Sequence, residues 1–279
     1  MKIKSYSKIN LSLKVTKKLK KKKLHQIQSL YCLIDHHDEI QVSKSNCKKD
    51  NIKFYGKFAN LVDKKNNSIK TLLMILREKK IISNYYSVLI KKNIPVFAGM
   101  GGANSNAIHL LKYLTKEKYT KIRKLIDINK IGSDSILFYQ KFGFLKNLNQ
   151  VVKLKKNFKL YFLLVYPNLR CRTQQIYASL RKLSKKNSFN HRFLKNKKNF
   201  IEFLSIQNND LQTVVEKKYP IIKKIIVNIQ KKRGCYFSRI TGSGSVCYGL
   251  FKSAKTAKAA LNSLKSKYPK YWLTTSKTI

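Results

Sequence analysis

Apolar and polar residues alternate along residues 1–15 (MKIKSYSKINLSLKV), the period-two signature of a strand with one buried face. A lysine run at 17–23 interrupts the alternation and reads as a solvated loop or hairpin tip. Strand-like runs recur at 27–34, 38–42, 52–55 and 86–90. Between 69 and 81 the pattern changes, with Leu72, Leu73, Ile75 and Leu76 at helical spacing. The continuous apolar run at 161–166, closed by Pro167, reads as a buried strand. Helical patterns follow at 173–183, 198–206 and 211–231, and a helix with an Ala/Leu face is predicted over 254–264. Strands mixed with helices, without strict alternation, predict an α+β fold. A shift in composition near 150–158 marks the expected boundary between two domains, 1–155 and 156–279.

The densest chemical signal lies at 92–114. There a strand ends and Pro95 turns the chain, and Gly99, Gly101 and Gly102 lead into an amphipathic helix carrying Ala107, Leu110, Leu111 and Leu114 on one side. Glycines let backbone N–H groups approach a ligand closely. A helix start adds unpartnered N–H donors and the positive end of the dipole. The combination suits a polyphosphate. It is not a Walker A loop, because no Gly-Lys-Ser/Thr follows. It is not a dinucleotide fingerprint either, because no βαβ unit with a later acid surrounds it. Two further small-residue segments stand out. Gly132-Ser133-Asp134 precedes an apolar run, where Asp134 alone reads as a turn or cap residue. Thr241-Gly242-Ser243-Gly244-Ser245 leads directly into a strand and alone reads as a hairpin turn.

Charge changes the picture less than its size suggests. Lys and Arg total 61 against 12 Asp and Glu, a formal net charge of +49, yet only eight of the 61 are arginine. Precise readers of phosphates and bases favour the arginine fork. The lysines here are dispersed, and Ile and Asn are abundant too, as A+T-rich coding would produce. A basic nucleic-acid-binding protein is therefore the less favoured alternative. The five cysteines lack any C-x-x-C pair, which argues against a disulfide framework or a structural zinc site and for a reduced, cytoplasmic protein. No ligand cluster for a resident metal is visible, and no apolar run approaches the length of a membrane span.

Taken in order, YSKINLSL at 6–13, IPVFAGMGGANSNA at 94–107, IGSDSILF at 131–138 and TGSGSVCYGLF at 241–251 resemble the motifs of the galactokinase, homoserine kinase, mevalonate kinase and phosphomevalonate kinase (GHMP) superfamily. Within it, the chain is similar to the branch that phosphorylates the 2-hydroxyl of a cytidine diphosphate ester of a branched polyol, in the non-mevalonate isoprenoid route. The resemblance implies a two-domain fold, with a ribosomal-protein-S5-like N-terminal domain and a ferredoxin-like C-terminal domain, and an active site in the cleft between them. It implies ATP and Mg²⁺, with Asp134 as general base and Lys8 as its cationic partner. Pro95, Gly99, Gly101, Gly102, Ala103, Asn104, Ser105 and Asn106 would bind the nucleotide. Asn10, His25, Thr173 and Tyr177 would bind the acceptor, His25 at the cytosine edge and Tyr177 by stacking. A homoserine- or mevalonate-type acceptor is the alternative within the superfamily.

This sequence departs from the family pattern in several places. Leu24 stands where the family has a tyrosine, Ala103 replaces the third glycine of the loop, and Asn104 replaces a serine. If Ala103 had positive φ, it would cost on the order of 1 kcal/mol relative to glycine.

Overall fold

A computed structural model of the chain describes residues 2–19, 24–64, 66–154, 156–186 and 191–279. Residues 20–23 of the expected lysine-rich tip, and residue 155 at the expected domain boundary, lie outside the described residues. In chain order the elements are β1 (Lys2–Asn10), β2 (Lys14–Leu19), β3 (Leu24–Lys44), β4 (Asn51–Tyr55), α1 (Ser68–Glu78), β5 (Tyr86–Lys91), α2 (Gly102–Thr115), α3 (Tyr119–Leu125), β6 (Phe142–Asn147), β7 (Gln150–Lys153) and β8 (Tyr161–Tyr166). The chain continues with α4 (Thr173–Ala178), α5 (Lys197–Ser205), α6 (Gln212–Lys218), α7 (Pro220–Gln230), β9 (Cys235–Ile240), β10 (Cys247–Phe251), α8 (Ala254–Lys267) and β11 (Trp272–Lys277). Two compact units result. One comprises Met1–Lys8, His36–Val96 and Gly101–Tyr139; the other comprises Ile9–Asp35, Phe97–Met100 and Gln140–Ile279.

In the first unit, β4 pairs parallel with β5, as a crossover through α1 allows. β5 pairs antiparallel with the second half of β3. Ile40, Val88 and Ile90 from the strands, and Leu72, Leu73, Leu76, Leu110 and Leu111 from α1 and α2, are buried. α1 and α2 pack on each other, and α2 also packs on the short 3-10 turn Ser135–Tyr139.

In the second unit, the first part of β3 pairs with β2 and β6, and β6 with β7, all antiparallel. A separate antiparallel sheet has the order β11-β8-β10-β9, with α7 packed on β9 and β10, and α8 on β8 and β11. The sequence β8-helices-β9-β10-α8-β11 is the split β-α-β of a ferredoxin-like domain. The α+β class and the ferredoxin-like half agree with the expectation. Among the described residues, no helix is long and apolar enough to cross a membrane.

Local expectations were corrected where polar groups find distant partners. The strands expected at 27–34 and 38–42 are one strand of 21 residues. Asp35 and His36, which look like a break, are paired instead. Asp35 accepts hydrogen bonds from the Ser276 hydroxyl and Lys277 N–H. His36 Nε2 lies 2.9 Å from the Asn93 carbonyl oxygen. The helix expected over 211–231 breaks at Tyr219 (φ −134°, ψ 84°), because Pro220 excludes helical conformation before it and opens α7 instead. The helix expected over 173–183 ends at Ala178.

Candidate active site

The site is built first within one unit. Lys8, near the end of β1, is 2% exposed, and its Nζ lies 3.3 Å from Oδ2 of Asp134. Asp134 sits at the head of the 3-10 turn, where Ser135 N–H donates to Gly132 O at 3.0 Å and Leu137 N–H donates to Asp134 O at 3.0 Å. Its side chain remains 32% exposed. The pair thus joins a buried ammonium to a carboxylate that solvent or a ligand can reach.

Gly101 brings the phosphate loop to this pair. It caps α2 with φ 71°, a left-handed conformation that disfavours other residues. A Cβ there would lie 2.8 Å from Phe138 Cζ and 3.3 Å from Lys8 Cε. The start of α2 therefore rests against Phe138 and Lys8. Ser105 N–H donates to Gly101 O at 2.9 Å, the first bond of the helix. The N–H groups of Gly101, Gly102, Ala103 and Asn104 consequently have no partner within the helix, and the dipole's positive end lies with them. The Asn104 side chain packs on Gly132, its Oδ1 2.2 Å from where a Cβ would sit, and so joins the loop to the turn carrying Asp134.

Ser105 and Asn106 are buried, and their side chains face β1. The Ser105 hydroxyl donates to Tyr6 O at 2.5 Å, and Asn106 Oδ1 accepts from the Ser5 hydroxyl at 2.8 Å. Ala103 lies in α2. The described non-glycine residues with positive φ are Lys80, Phe97, Lys116 and Asn168, so Ala103 carries no left-handed strain. In the loop that strain falls on Phe97, with φ 55°.

A second buried pair went unnoticed in the sequence. Asp38 of β3 (0% exposed) pairs with Lys92 Nζ (3% exposed), just before Pro95. Nothing in either residue's neighbourhood marks it, because the two are 54 positions apart.

The second unit holds the remaining expected residues. Phe97–Met100 is fastened to the 241–246 segment. Val246 N–H donates to Ala98 O at 3.2 Å, and a Cβ on Gly99 (φ 76°) would fall 2.0 Å from Thr241 O. Asn10 is buried. Its N–H donates to Thr241 Oγ1 at 3.0 Å, and its Nδ2 donates to Ser29 Oγ at 2.8 Å. Thr173 Oγ1 lies 3.0 Å from Ser243 Oγ. His25 and Tyr177 form a tilted aromatic pair, with ring centroids 5.1 Å apart at 35°. Burial first, and the positive charge of Lys18 second, push the His25 pKa down, which favours a neutral ring. Leu24, beside it, is exposed.

The α+β fold with its ferredoxin-like half is that of the GHMP small-molecule kinases. The family model described as GHMP kinases C terminal matches residues 191–270. A 4-diphosphocytidyl-2-C-methyl-D-erythritol kinase from Pelagibacter ubique is 39% identical over all of this chain and 99% of its own. The enzyme of that name from Thermodesulfovibrio yellowstonii is 31% identical over 99% of this chain and 97% of its own. The chain belongs to the 4-diphosphocytidyl-2-C-methyl-D-erythritol kinase family.

Solved structures agree on the fold. A crystal structure of 4-(cytidine 5'-diphospho)-2C-methyl-D-erythritol kinase superposes with TM-score 0.74 at 19% identity, covering 99% of each chain. Homoserine kinase from Cytophaga hutchinsonii gives 0.65 at 14% identity, covering 100% of this chain and 94% of its own.

Proposed function

We propose that this chain transfers the γ-phosphoryl group of ATP to the 2-hydroxyl of 4-diphosphocytidyl-2-C-methyl-D-erythritol. The observation that carries the mechanism is the Lys8–Asp134 pair, 3.3 Å apart and in contact with the helix start at Gly101. Asp134 accepts the hydroxyl proton as the oxygen forms its bond to phosphorus and the bond to the ADP oxygen breaks. Lys8, held rigidly by burial, offsets the negative charge on the reacting oxygens. The N–H groups of Gly101–Asn104 receive phosphate oxygens, and Ser105 and Asn106 fix α2 on β1 so that those groups stay aimed. Pro95 and Gly99 shape the loop before them.

Mg²⁺ is held by one or two carboxylates together with substrate phosphates. Such a site needs no acidic cluster, and among the described residues no group of three or more His, Cys, Asp or Glu is present. The phosphates of ATP, seated on the N–H groups of Gly101–Asn104, would supply most of the oxygens, which leaves the Asp134 carboxylate to take the proton. When bound, Mg²⁺ would supply neutralisation of the phosphate charge.

On the acceptor side, the His25–Tyr177 pair offers a polar edge and an aromatic face to cytosine, with Asn10 and Thr173 as supporting polar groups. This assigns ATP binding to residues 1–155 and completion of the acceptor site to 156–279. We place the reaction in the cytoplasm, a setting that suits five unpaired cysteines.

The deciding assay measures ADP release from purified protein with MgATP and a panel of acceptors: the cytidyl alcohol, homoserine and mevalonate. Turnover on the cytidyl alcohol, lost in Asp134→Ala and Lys8→Ala, is expected. Turnover on another acceptor alone would overturn the substrate, and full activity in Asp134→Ala would overturn the mechanism.

A further inference from the structure

The short segment Lys92–Ile94, which delivers the chain to Pro95, is fixed at nearly every polar atom. Asp38 Oδ1 accepts from Asn93 N–H at 2.7 Å and from Ile94 N–H at 2.8 Å, while Oδ2 pairs with Lys92 Nζ. Asn93 Nδ2 donates to His37 O at 3.1 Å. Lys92 N–H donates to Tyr55 O at 2.7 Å, and Lys92 O accepts from Phe58 N–H at 3.2 Å.

The placement of the Lys92 ammonium is the informative part. The nearest atoms to a Cβ built on Gly102 are those of Ile94 and Lys92 Nζ, the latter at 3.4 Å. The pair therefore turns its positive end toward the first residue of α2. A helix start already carries partial positive charge, so a cation beside it is unfavourable in the free protein and favourable once an anion is bound. A buried carboxylate that holds such a cation offsets its desolvation cost.

We propose that Asp38 and Lys92 are positioning residues of the phosphate cradle: Asp38 locks segment 92–94 and holds the Lys92 ammonium behind the first turn of α2, where it strengthens binding of a nucleotide's polyphosphate. The inference rests on the reading that this turn receives the phosphates of ATP.

Removing one partner alone would strand a buried charge, so the test uses the neutral double variant Asp38→Asn/Lys92→Gln. Position 38 still offers an oxygen to Asn93 and Ile94. Folding is checked by circular dichroism and thermal melting. Calorimetry then measures the Kd of ATP and of inorganic tripolyphosphate for wild type and variant, and steady-state kinetics measures KM for ATP and for the acceptor. Both Kd values and the KM for ATP should rise about five- to tenfold, with kcat and the acceptor KM within about twofold of wild type.

A folded variant that binds both ligands as tightly as wild type overturns the proposal. So does weakened ATP binding with unchanged tripolyphosphate binding, which would place the effect on the base. If wild type binds neither ligand, the phosphate reading of the loop fails and the proposal with it. If wild type binds both but phosphorylates no acceptor, the acceptor assignment fails while the Kd ratio still decides the role of the pair.

Discussion

Two lysine–aspartate pairs in one unit have the same chemical parts and opposite surroundings. Lys92 and Asp38 are both shut off from solvent, and Asp38 is held by three donors. Lys8 is equally buried, but its partner Asp134 is 32% exposed. A carboxylate enclosed by donors can fix a backbone segment but offers no route for a substrate proton. One that is held on one side and open on the other can accept such a proton. Ion pairing alone therefore does not distinguish a candidate general base from a structural carboxylate; access does.

The largest effect is expected from Asp134→Ala, with kcat lowered about 10²- to 10⁴-fold in the ADP-release assay, the usual contribution of a general base. Asp38→Ala should act instead on the fold. It strands the Lys92 charge and the N–H groups of Asn93 and Ile94, and urea unfolding should show a loss of about 3–5 kcal/mol. If Asp38→Ala lowers kcat strongly while stability is unchanged, the division of roles between the two pairs is wrong.

A smaller, pH-dependent effect belongs to His109, one turn below the cradle and 2.9 Å from the Ser105 carbonyl oxygen through Nδ1. Burial, then the charge of Lys112, push its pKa down to about 4, against a weaker opposing contribution from that carbonyl. The unfolded chain takes up this proton at about 6.5, so the unfolded state is favoured as pH falls between those values. The stability linked to neutral His109 is complete above about pH 6.5. It is lost at about 1.4 kcal/mol per unit as pH falls toward 4. Melting temperatures from pH 7 to 4 should therefore fall more steeply in wild type than in His109→Gln. The smallest effect concerns Ala103. Because it lies in α2 without positive φ, Ala103→Gly should not stabilise the protein. A loss of up to about 1 kcal/mol is expected in urea unfolding, with the KM for ATP unchanged.

Much of the candidate site was legible because its signals are local. Glycines at 99, 101 and 102 before an amphipathic run announce a turn and a helix start from backbone freedom and periodicity alone. The helix expected over 254–264 became α8, which spans Ala254–Lys267 and is closed at its start by a capping box of Ser253 and Thr256. The sequence pattern does not name β6, β7, β9 or β11: β6 and β11 are strands through pairing with the distant β3 and β8, while β7 and β9 are arms of hairpins with β6 and β10 that lack a clear alternation of their own. Trp272–Lys277 (β11) has no clean alternation, and it is a strand because β8 offers its edge.

The side-chain roles divide along the same line. A glycine-rich loop able to cradle phosphate followed from residue types and their order along the chain, whereas Asp134 alone read as a turn residue and was singled out as proton acceptor only by the resemblance to GHMP kinases. That Ser105 and Asn106 hold α2 to β1, that Asp35 and His36 continue a strand, and that Asp38 meets Lys92 followed from neither. Helix starts, turns and amphipathic faces depend on neighbours a few residues away, so the chain's order specifies them. Burial and partner choice depend on groups tens to hundreds of residues away, and the folded chain alone brings these within reach.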